Sequence, residues 1–179
     1  MDNLKKEIAI FGGGCFWCLD ALFRELRGVT QVFVGYAGGQ MQNPKYTEVC
    51  SGATGHAEVI KIEFYPKIIS YKDLLTVFFA AHDPSTLNKQ GADVGTQYRS
   101  VVLYNSEAQK QEVQKFIEEL NKVEGGKVVT QVSELEKFYQ AEEYHQNYFK
   151  KNPDNPYCQI VINPKLKHLQ EKFSQLINK

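Results

Sequence analysis

Two cysteines separated by two aromatic residues are the strongest candidates for chemistry in this chain. Cys15 and Cys18 follow the glycines 12–14, where a predicted strand gives way to a predicted helix. The free N–H groups and partial positive charge of a helix N-terminus stabilise a thiolate and lower its pKa from about 8.5. Glycines also let a substrate approach the sulfur closely. The pattern therefore predicts a reactive cysteine with a lowered pKa.

Two other interpretations of the pair stay open. Cys15 and Cys18 are small enough to be ordinary core residues at the start of a helix. A zinc site needs four ligands, and the chain has no second Cys-x-x-Cys and no histidine pair to complete one. The preceding glycine turn favours a catalytic pair over core packing, and the missing ligands disfavour zinc.

Three residues, Phe16, Trp17 and Glu58, each have a structural interpretation and a catalytic one. Phe16 and Trp17 either pack in the core or form an apolar wall that receives a small apolar group of a substrate. Glu58, at the start of an apolar strand, is either a surface charge or a general acid. It becomes an acid if it faces an aromatic pocket, because desolvation raises the pKa of a carboxyl group.

The remaining polar candidates carry weaker signals. Cys50 has no partner by spacing, and we expect a buried structural thiol. Tyr46, Asp93 and Tyr98 lie in or beside polar loops, where such residues more often serve the surface or the core than catalysis. The four histidines show no spacing typical of a metal site.

The elements that must position these residues follow the order β-α-β-β-α-β as far as Tyr104. Strands are predicted at 7–11, 30–36, 58–64 and 99–104, with helices at about 15–28 and 71–81. Beyond them we predict a helix from Ser106 to Gly125, a strand at 127–132, a helix at 141–151, a strand at 159–162 and a last helix after Asn163. The order predicts an α+β fold: a split β-α-β-β-α-β (ferredoxin-like) sandwich with added C-terminal helices. Two long loops, 41–56 and 83–97, are of a length that is often functional.

Composition limits the class of protein. A chain of 179 residues suits one domain, and we take residues 1–179 as a single catalytic domain. Its 21 basic and 21 acidic residues cancel, which argues against nucleic acid or an anionic membrane as a partner. Only a short apolar run, 8–11, lies near the start, so we expect neither a signal peptide nor a membrane span. We expect a soluble cytoplasmic monomer whose thiols are reduced.

Six motifs together resemble one family, the A-type peptide methionine sulfoxide reductases. The resemblance runs from about Ile8 to Cys158, nearly the whole chain. Any one motif is weak, but six in the same order are highly specific. They are Gly14–Trp17, Gly35–Gly39, Thr54–Glu58, His82–Pro84, Gly95–Ser100 and Ala141–Gln146.

The resemblance implies a role for each candidate residue. Cys15 is the implied nucleophile, and Glu58 is the implied acid that protonates the sulfoxide oxygen. The oxygen would be bound, or Glu58 supported, by Tyr46, Asp93 and Tyr98, and the S-methyl group would be held by Phe16 and Trp17. The family acts on the S epimer of methionine sulfoxide, free or in oxidised proteins, and is recycled by thioredoxin without a metal or organic cofactor.

The chemistry of that reaction predicts opposite pKa shifts on two groups. A sulfoxide oxygen leaves only after protonation, so Glu58 needs a raised pKa. Attack on sulfur requires a thiolate, so Cys15 needs a lowered one. The product is a sulfenic acid on Cys15, which condenses with a second thiol to a disulfide.

The chain departs from the commonest family pattern at the second thiol. Many members have glycine where Cys18 stands and use a cysteine in a flexible glycine-rich tail. Here Tyr157-Cys158 precedes a predicted strand instead, so Cys158 is expected to be less mobile. We favour Cys158 as the resolving thiol and keep Cys18 as its rival.

Two alternative functions follow from the same residues. A general thiol–disulfide oxidoreductase would use Cys15 and Cys18, although Phe16 and Trp17 would crowd a protein disulfide there. A binding module for methionine would use the aromatic wall and need no thiol at all. Reduction of sulfoxide that depends on Cys15 distinguishes the predicted enzyme from both.

Overall fold

The computed structural model describes residues 5–178, which form one mixed α+β unit around a six-stranded sheet. The strands are Glu7–Gly12 (β1), Val29–Ala37 (β2), Ala57–Phe64 (β3), Lys89–Gln90 (β4), Asp93–Val94 (β5), Val101–Tyr104 (β6), Gln131–Glu134 (β7) and Phe138–Gln140 (β8). The α-helices are Phe16–Arg24 (α1), Tyr46–Cys50 (α2), Tyr71–Ala81 (α3), Glu107–Glu124 (α4), Tyr148–Lys151 (α5) and Asn163–Lys172 (α6). No helix within residues 5–178 is long and apolar enough to cross a membrane.

The main sheet has the order β7-β6-β1-β3-β2-β8, and β4 and β5 form a separate hairpin. β3 pairs antiparallel with both β1 and β2, and only β6 and β7 are parallel. On one face Ile60, Ile62 and Phe64 of β3 pack with α1, α3, α4 and α6 in the main core. The other face carries a smaller cluster that includes Val59. The apolar side chains of β3 therefore alternate between the two faces of the sheet, and the strand predicted at 58–64 is present.

The predicted helix boundaries of α3 and α4 have local causes. Ser70 Oγ accepts from the amide of Asp73 at 3.0 Å, and Asp73 Oδ2 accepts from the amide of Ser70 at 3.0 Å, which completes the capping box. Ser106 caps α4 through a single bond, in which its Oγ accepts from the amide of Gln109 at 3.2 Å. Gly125 ends α4 in the left-handed conformation, with φ of +79°.

The strand predicted at 159–162 is wrong. Residues Cys158–Ile162 form one π-helical turn that runs directly into α6. In a strand, Cys158, Ile160 and Ile162 would share one face. Instead Cys158 and Ile162 are buried while Ile160 is 74% exposed, which is the pattern of a helix. A short apolar run does not distinguish the two states, and packing against α1 decides between them here.

Four other predictions required correction. The helix predicted at 141–151 is a 3₁₀ turn, Glu143–His145, followed by α5, because Asn147 between them has a left-handed φ of +52°. The loop predicted at 41–56 contains α2, and the loop at 83–97 contains the β4–β5 hairpin. The strand predicted at 127–132 lies at 131–134 instead.

Candidate active site

The turn that presents Cys15 joins the end of β1 to the start of α1. Gly14 has φ of +82°, a conformation open to glycine, and its amide donates to the carbonyl of Tyr98 at 3.1 Å. A Cβ on Gly13 would come within 2.9 Å of the His82 ring. Glycines are therefore required here, and they place Cys15 at the N-cap of α1.

His82 supports this turn from below. Its Nδ1 donates to the carbonyl of Phe78 at 2.7 Å, so its Nε2 accepts from Ser100 Oγ, also at 2.7 Å. Burial lowers the pKa of His82 to about 4 and keeps the ring neutral. The ring is a fixed platform for Gly13 rather than an acid or base.

Glu58 is a buried acid and not a surface charge. It lies in β3 at 1% exposure, and its Oε2 accepts from the amide of Phe16 at 3.1 Å. Burial raises its pKa to about 8, against the lowering effect of that hydrogen bond, and the charge of Asp93 raises it further. Glu58 therefore holds a proton at neutral pH next to the cysteine turn. This is the direction that the sequence predicted.

The prediction for Cys15 is wrong in direction. A hydrogen bond with Cys18, burial and the charge of Glu58 raise the pKa of Cys15 well above its ordinary value. The helix terminus does act, since the amide of Trp17 lowers that pKa, but the other three effects outweigh it.

The negative charge of the cysteine pair falls on Cys18. Its pKa is lowered to about 7 by the hydrogen bond with Cys15, against burial, and by the positive charge of Lys165. Cys18 also lies 3.9 Å from the hydroxyl of Tyr157. The sequence could not show this division, because Lys165 and Tyr157 are remote in the chain and reach Cys18 only in the folded structure.

Tyr46, Asp93 and Tyr98 come together around Glu58. Tyr46 begins α2, and Tyr98 is tied to the cysteine turn through Gly14. Burial raises the pKa of both phenols. The interaction with Cys50 comes next for Tyr46 and the charge of Glu58 comes next for Tyr98, and Glu58 also acts on Tyr46. Both hydroxyls therefore stay protonated and able to donate. Asp93, in β5, is half-buried and accepts from Tyr157.

The predicted aromatic wall is divided between two environments. Phe16 is 1% exposed and packs against Tyr36 and His145, so it forms the floor of the site. Trp17 is half-buried. It stacks on Tyr148 with centroids 3.7 Å apart, and its Nε1 donates to Nδ1 of His145 at 3.2 Å. Of the two residues, Trp17 is the one that a substrate can reach.

Tyr157 is a site residue to which the sequence assigned no role. Its hydroxyl donates to Asp93 Oδ2 at 3.3 Å and lies near both cysteines. Glu142 was also missed. Its two oxygens accept from the hydroxyl of Tyr36 at 2.8 Å and from the amide of Tyr46 at 2.9 Å. The motif at 141–146 and the Tyr157-Cys158 pair were the available signals, but neither states which atoms meet.

The other two cysteines occupy different places. Cys158 is completely buried beside Ala21 and Ile162, in a cluster against which Cys18 packs. Cys50 is only half-buried, so the buried structural thiol predicted there is wrong. The unpredicted helix α2 places Cys50 four residues after Tyr46, on the same helical face, where burial raises the pKa of the thiol and Tyr46 acts in the opposite direction.

No group of three or more potential metal ligands exists among residues 5–178. What the site holds is a hydrogen-bonded pair of thiols, a protonated carboxyl, two phenols and a reachable indole. A family model described as peptide methionine sulfoxide reductase matches residues 7–177.

The chain belongs to this family. The finding confirms the resemblance seen in the six sequence motifs. A peptide methionine sulfoxide reductase MsrA of Nautilia profundicola is 58% identical over 170 residues, which cover 95% of each chain. Mxr1 of Saccharomyces cerevisiae in reduced form has a TM-score of 0.80 at 37% identity, over 88% of this chain and 91% of that chain.

A third relative shows Mxr1 bound to a partner. Mxr1 of Saccharomyces cerevisiae in complex with Trx2 has a TM-score of 0.58 at 28% identity, over 82% of this chain and 87% of that chain. The enzyme described here is thus a thiol-dependent oxidoreductase that reduces methionine sulfoxide.

Proposed function

We propose that this enzyme reduces the S epimer of methionine sulfoxide, free or in oxidised proteins, with Cys15 as nucleophile and Glu58 as acid. One observation carries the proposal. The Glu58 carboxyl, protonated below a pKa of about 8, hydrogen-bonds to the residue that follows Cys15. A general acid held in position beside the reacting groups raises the rate of the reaction about 10² to 10⁴-fold.

In the first step the oxygen passes from the substrate to Cys15. Cys15 Sγ attacks the sulfoxide sulfur, its proton moves to the neighbouring thiolate of Cys18, and Glu58 protonates the sulfoxide oxygen. The hydroxyl group then passes from the substrate sulfur to Cys15 Sγ, and the sulfur–sulfur bond formed in the attack breaks. The substrate sulfur is reduced to a thioether, and Cys15 is oxidised to a sulfenic acid. Tyr46 and Tyr98 donate to the oxygen, and Asp93 supports them. Trp17 contacts the S-methyl group, with Phe16 beneath.

The geometry favours Cys18 over Cys158 as the resolving thiol. The amide of Cys18 donates to the carbonyl of Cys15 at 3.2 Å, so the two cysteines lie on a single turn of the chain. Both also line the same cavity. Cys158 packs in the cluster with Cys18 and is completely buried. Cys18 therefore attacks the Cys15 sulfenic acid, water leaves, and a Cys15–Cys18 disulfide forms.

Thioredoxin is the proposed reductant of that disulfide. The support is the complex of the related Mxr1 with Trx2. All electrons in the cycle come from thiols, so the cycle runs without a metal or organic cofactor. The site is complete within one chain, which is consistent with a monomer, and the four free cysteines suit the reducing cytoplasm.

The finer description of the fold is also a proposal. The neighbouring strands β6, β1, β3 and β2, with α1 and α3 on one face, support the split β-α-β-β-α-β (ferredoxin-like) arrangement. On this description β7, β8, the β4–β5 hairpin and the C-terminal helices are additions, and residues 1–179 act as one catalytic domain.

A single-turnover assay without reductant tests the proposed chemistry. The wild type should form one methionine per chain from the S epimer and none from the R epimer. Glu58→Gln should slow that turnover about 10² to 10⁴-fold. Glu63→Gln, in the same strand and paired with Lys6, is the matched control and should keep the wild-type rate. An unchanged rate in Glu58→Gln, or equal use of both epimers, would contradict the proposal.

A further inference from the structure

A cavity of about 170 Å³ meets the cysteine pair on the side away from the acid Glu58 and the two phenols. Its walls include Cys15, Cys18, Asp93, Tyr157 and Lys165. The acid Glu58 and the phenols Tyr46 and Tyr98 are not among its lining residues. The two sulfurs can therefore be reached through this cavity without entering the pocket of the acid.

The cavity suits one small apolar group that ends in a negative charge, because the effect of Lys165 on the thiol of Cys18 exceeds the opposing effect of Asp93 in the same wall. An engineered cavity of about 150 Å³ binds benzene, so this one has room for a group of that size and none for a folded segment. Its floor is apolar, with Leu19, Leu22 and Leu169 buried beneath. Of the described residues that line it, Lys165 is the one cation.

Lys165 is exposed to solvent, but the charge of its ammonium group changes the pKa of two largely buried groups. Its charge lowers the pKa of Cys18, and it also lowers the pKa of His82 beneath the cysteine turn, after burial. A positive charge in this position stabilises a thiolate in the cavity, whether the thiolate arrives from outside or is released from Cys18.

We propose that this cavity is the access route for the thiol of the external reductant, and that Lys165 stabilises the thiolate released when the disulfide opens. The inference rests on the Cys15–Cys18 disulfide of the proposed function. The occupant is the attacking cysteine of a dithiol protein of the thioredoxin class, whose side chain stands clear of its own surface.

The exchange balances in two steps. The external thiolate attacks Cys15 Sγ, the Cys15–Cys18 bond breaks, and Cys18 leaves as a thiolate beside Lys165. The second thiol of the reductant then attacks its partner sulfur in the mixed disulfide, and Cys15 leaves and takes up a proton. The enzyme gains two electrons, and the reductant departs as a disulfide. A leaving thiol with a lower pKa leaves faster, which is why the position of Lys165 matters.

Small thiols of different charge test the cavity directly. Enzyme oxidised by one equivalent of methionine sulfoxide is first mapped by mass spectrometry and then reduced with 2-mercaptoethanesulfonate, 2-mercaptoethanol or cysteamine. At equal thiolate concentration, the wild type should react fastest with the anion and slowest with the cation. Lys165→Gln should react about three- to tenfold more slowly with the anion and lose most of the preference. Lys165→Glu should reverse it.

Lys167→Gln is the matched control, because Lys167 lies on the same helix, is exposed and does not line the cavity. It should keep both the rate and the preference. All three variants should form one methionine per chain in a single turnover. Lys167→Gln should do so at the wild-type rate, whereas the Lys165 variants should be slower near pH 7, because loss of the cation raises the pKa of Cys18.

Two results would overturn the inference, and they are distinguishable. A first disulfide between Cys15 and Cys158 would also overturn the proposed resolving thiol. A Cys15–Cys18 disulfide whose thiol preference is the same in Lys165→Gln as in Lys167→Gln would overturn this inference alone and leave the proposed function intact.

Discussion

The surroundings of Cys15 and of Cys18 shift the thiol pKa in opposite directions, although the two cysteines are only one helical turn apart. Around Cys15, burial and the carboxyl of Glu58 keep the acid, the phenols and the thiol itself protonated. Around Cys18, the cation of Lys165 favours the thiolate, with a pKa of about 7. The two halves of the cycle have opposite needs. Sulfoxide reduction consumes a proton at the oxygen, and recycling releases a thiolate.

Replacement of either cysteine by serine is the strongest test of the comparison between the Cys15 side and the Cys18 side. Cys15→Ser should abolish methionine formation. Cys18→Ser should still form one methionine per chain but accumulate a sulfenic acid in place of a disulfide. Quantification of methionine and mass spectrometry of the sulfenic acid adduct give the two readouts. Disulfide formation at the wild-type rate in Cys18→Ser would remove the distinction between the two sides.

The pH profile of the single-turnover rate should have two limbs, one set by Glu58 on the Cys15 side and one set by Cys18. Above pH 8 the rate should fall about tenfold per unit, because Glu58, with a pKa of about 8, loses the proton that it donates. Below pH 7 the rate should fall as Cys18 becomes protonated and no longer accepts the Cys15 proton. Stopped-flow rates between pH 5 and 10 measure both limbs. Glu58→Gln should lack the upper limb, and Cys18→Ser should lack the lower one.

Loss of the phenolic donors should affect the Cys15 side alone. The double variant Tyr46→Phe, Tyr98→Phe should reduce sulfoxide about 10²-fold more slowly, since each donor to a developing charge is of that order of importance. Its disulfide should be reduced by 2-mercaptoethanol at the wild-type rate. Tyr104→Phe, at the half-buried end of β6, is the control. A slower disulfide reduction in the double variant would show that the two sides are not separate.

The smallest expected effect concerns stability. The pKa of Glu58 is raised on folding from its ordinary 4.5 to about 8. A raised folded pKa favours the folded state fully below about 4.5, and that contribution is lost as pH rises through 8. Glu58→Gln should therefore match the wild type near pH 4.5 and exceed its free energy of unfolding by a few kcal/mol, on the order expected from linkage, at pH 8 to 9. Urea unfolding at both pH values measures the difference.

The local features of the fold were accessible from the sequence because their causes are local. The capping box at Ser70 and Asp73, the glycine turn before Cys15 and the alternation of β3 each depend on residues a few positions apart. Patterns without such a cause failed. The apolar run 159–162 suits a strand or a helix equally, and burial of Cys158 and Ile162 against α1 selected the helix.

The sequence by itself determined the family and the order of the central elements, and it supplied the thiol and the acid of the proposed function, because each is stated by residue type and spacing. Tertiary structure alone decided where the charge of the cysteine pair resides, which of Phe16 and Trp17 a substrate can reach, and how Tyr157 and Lys165 complete the site. Desolvation and Coulomb interaction act through space, between residues as far apart in the chain as Cys18 and Lys165. Their balance on a buried thiol exists only after the chain has folded.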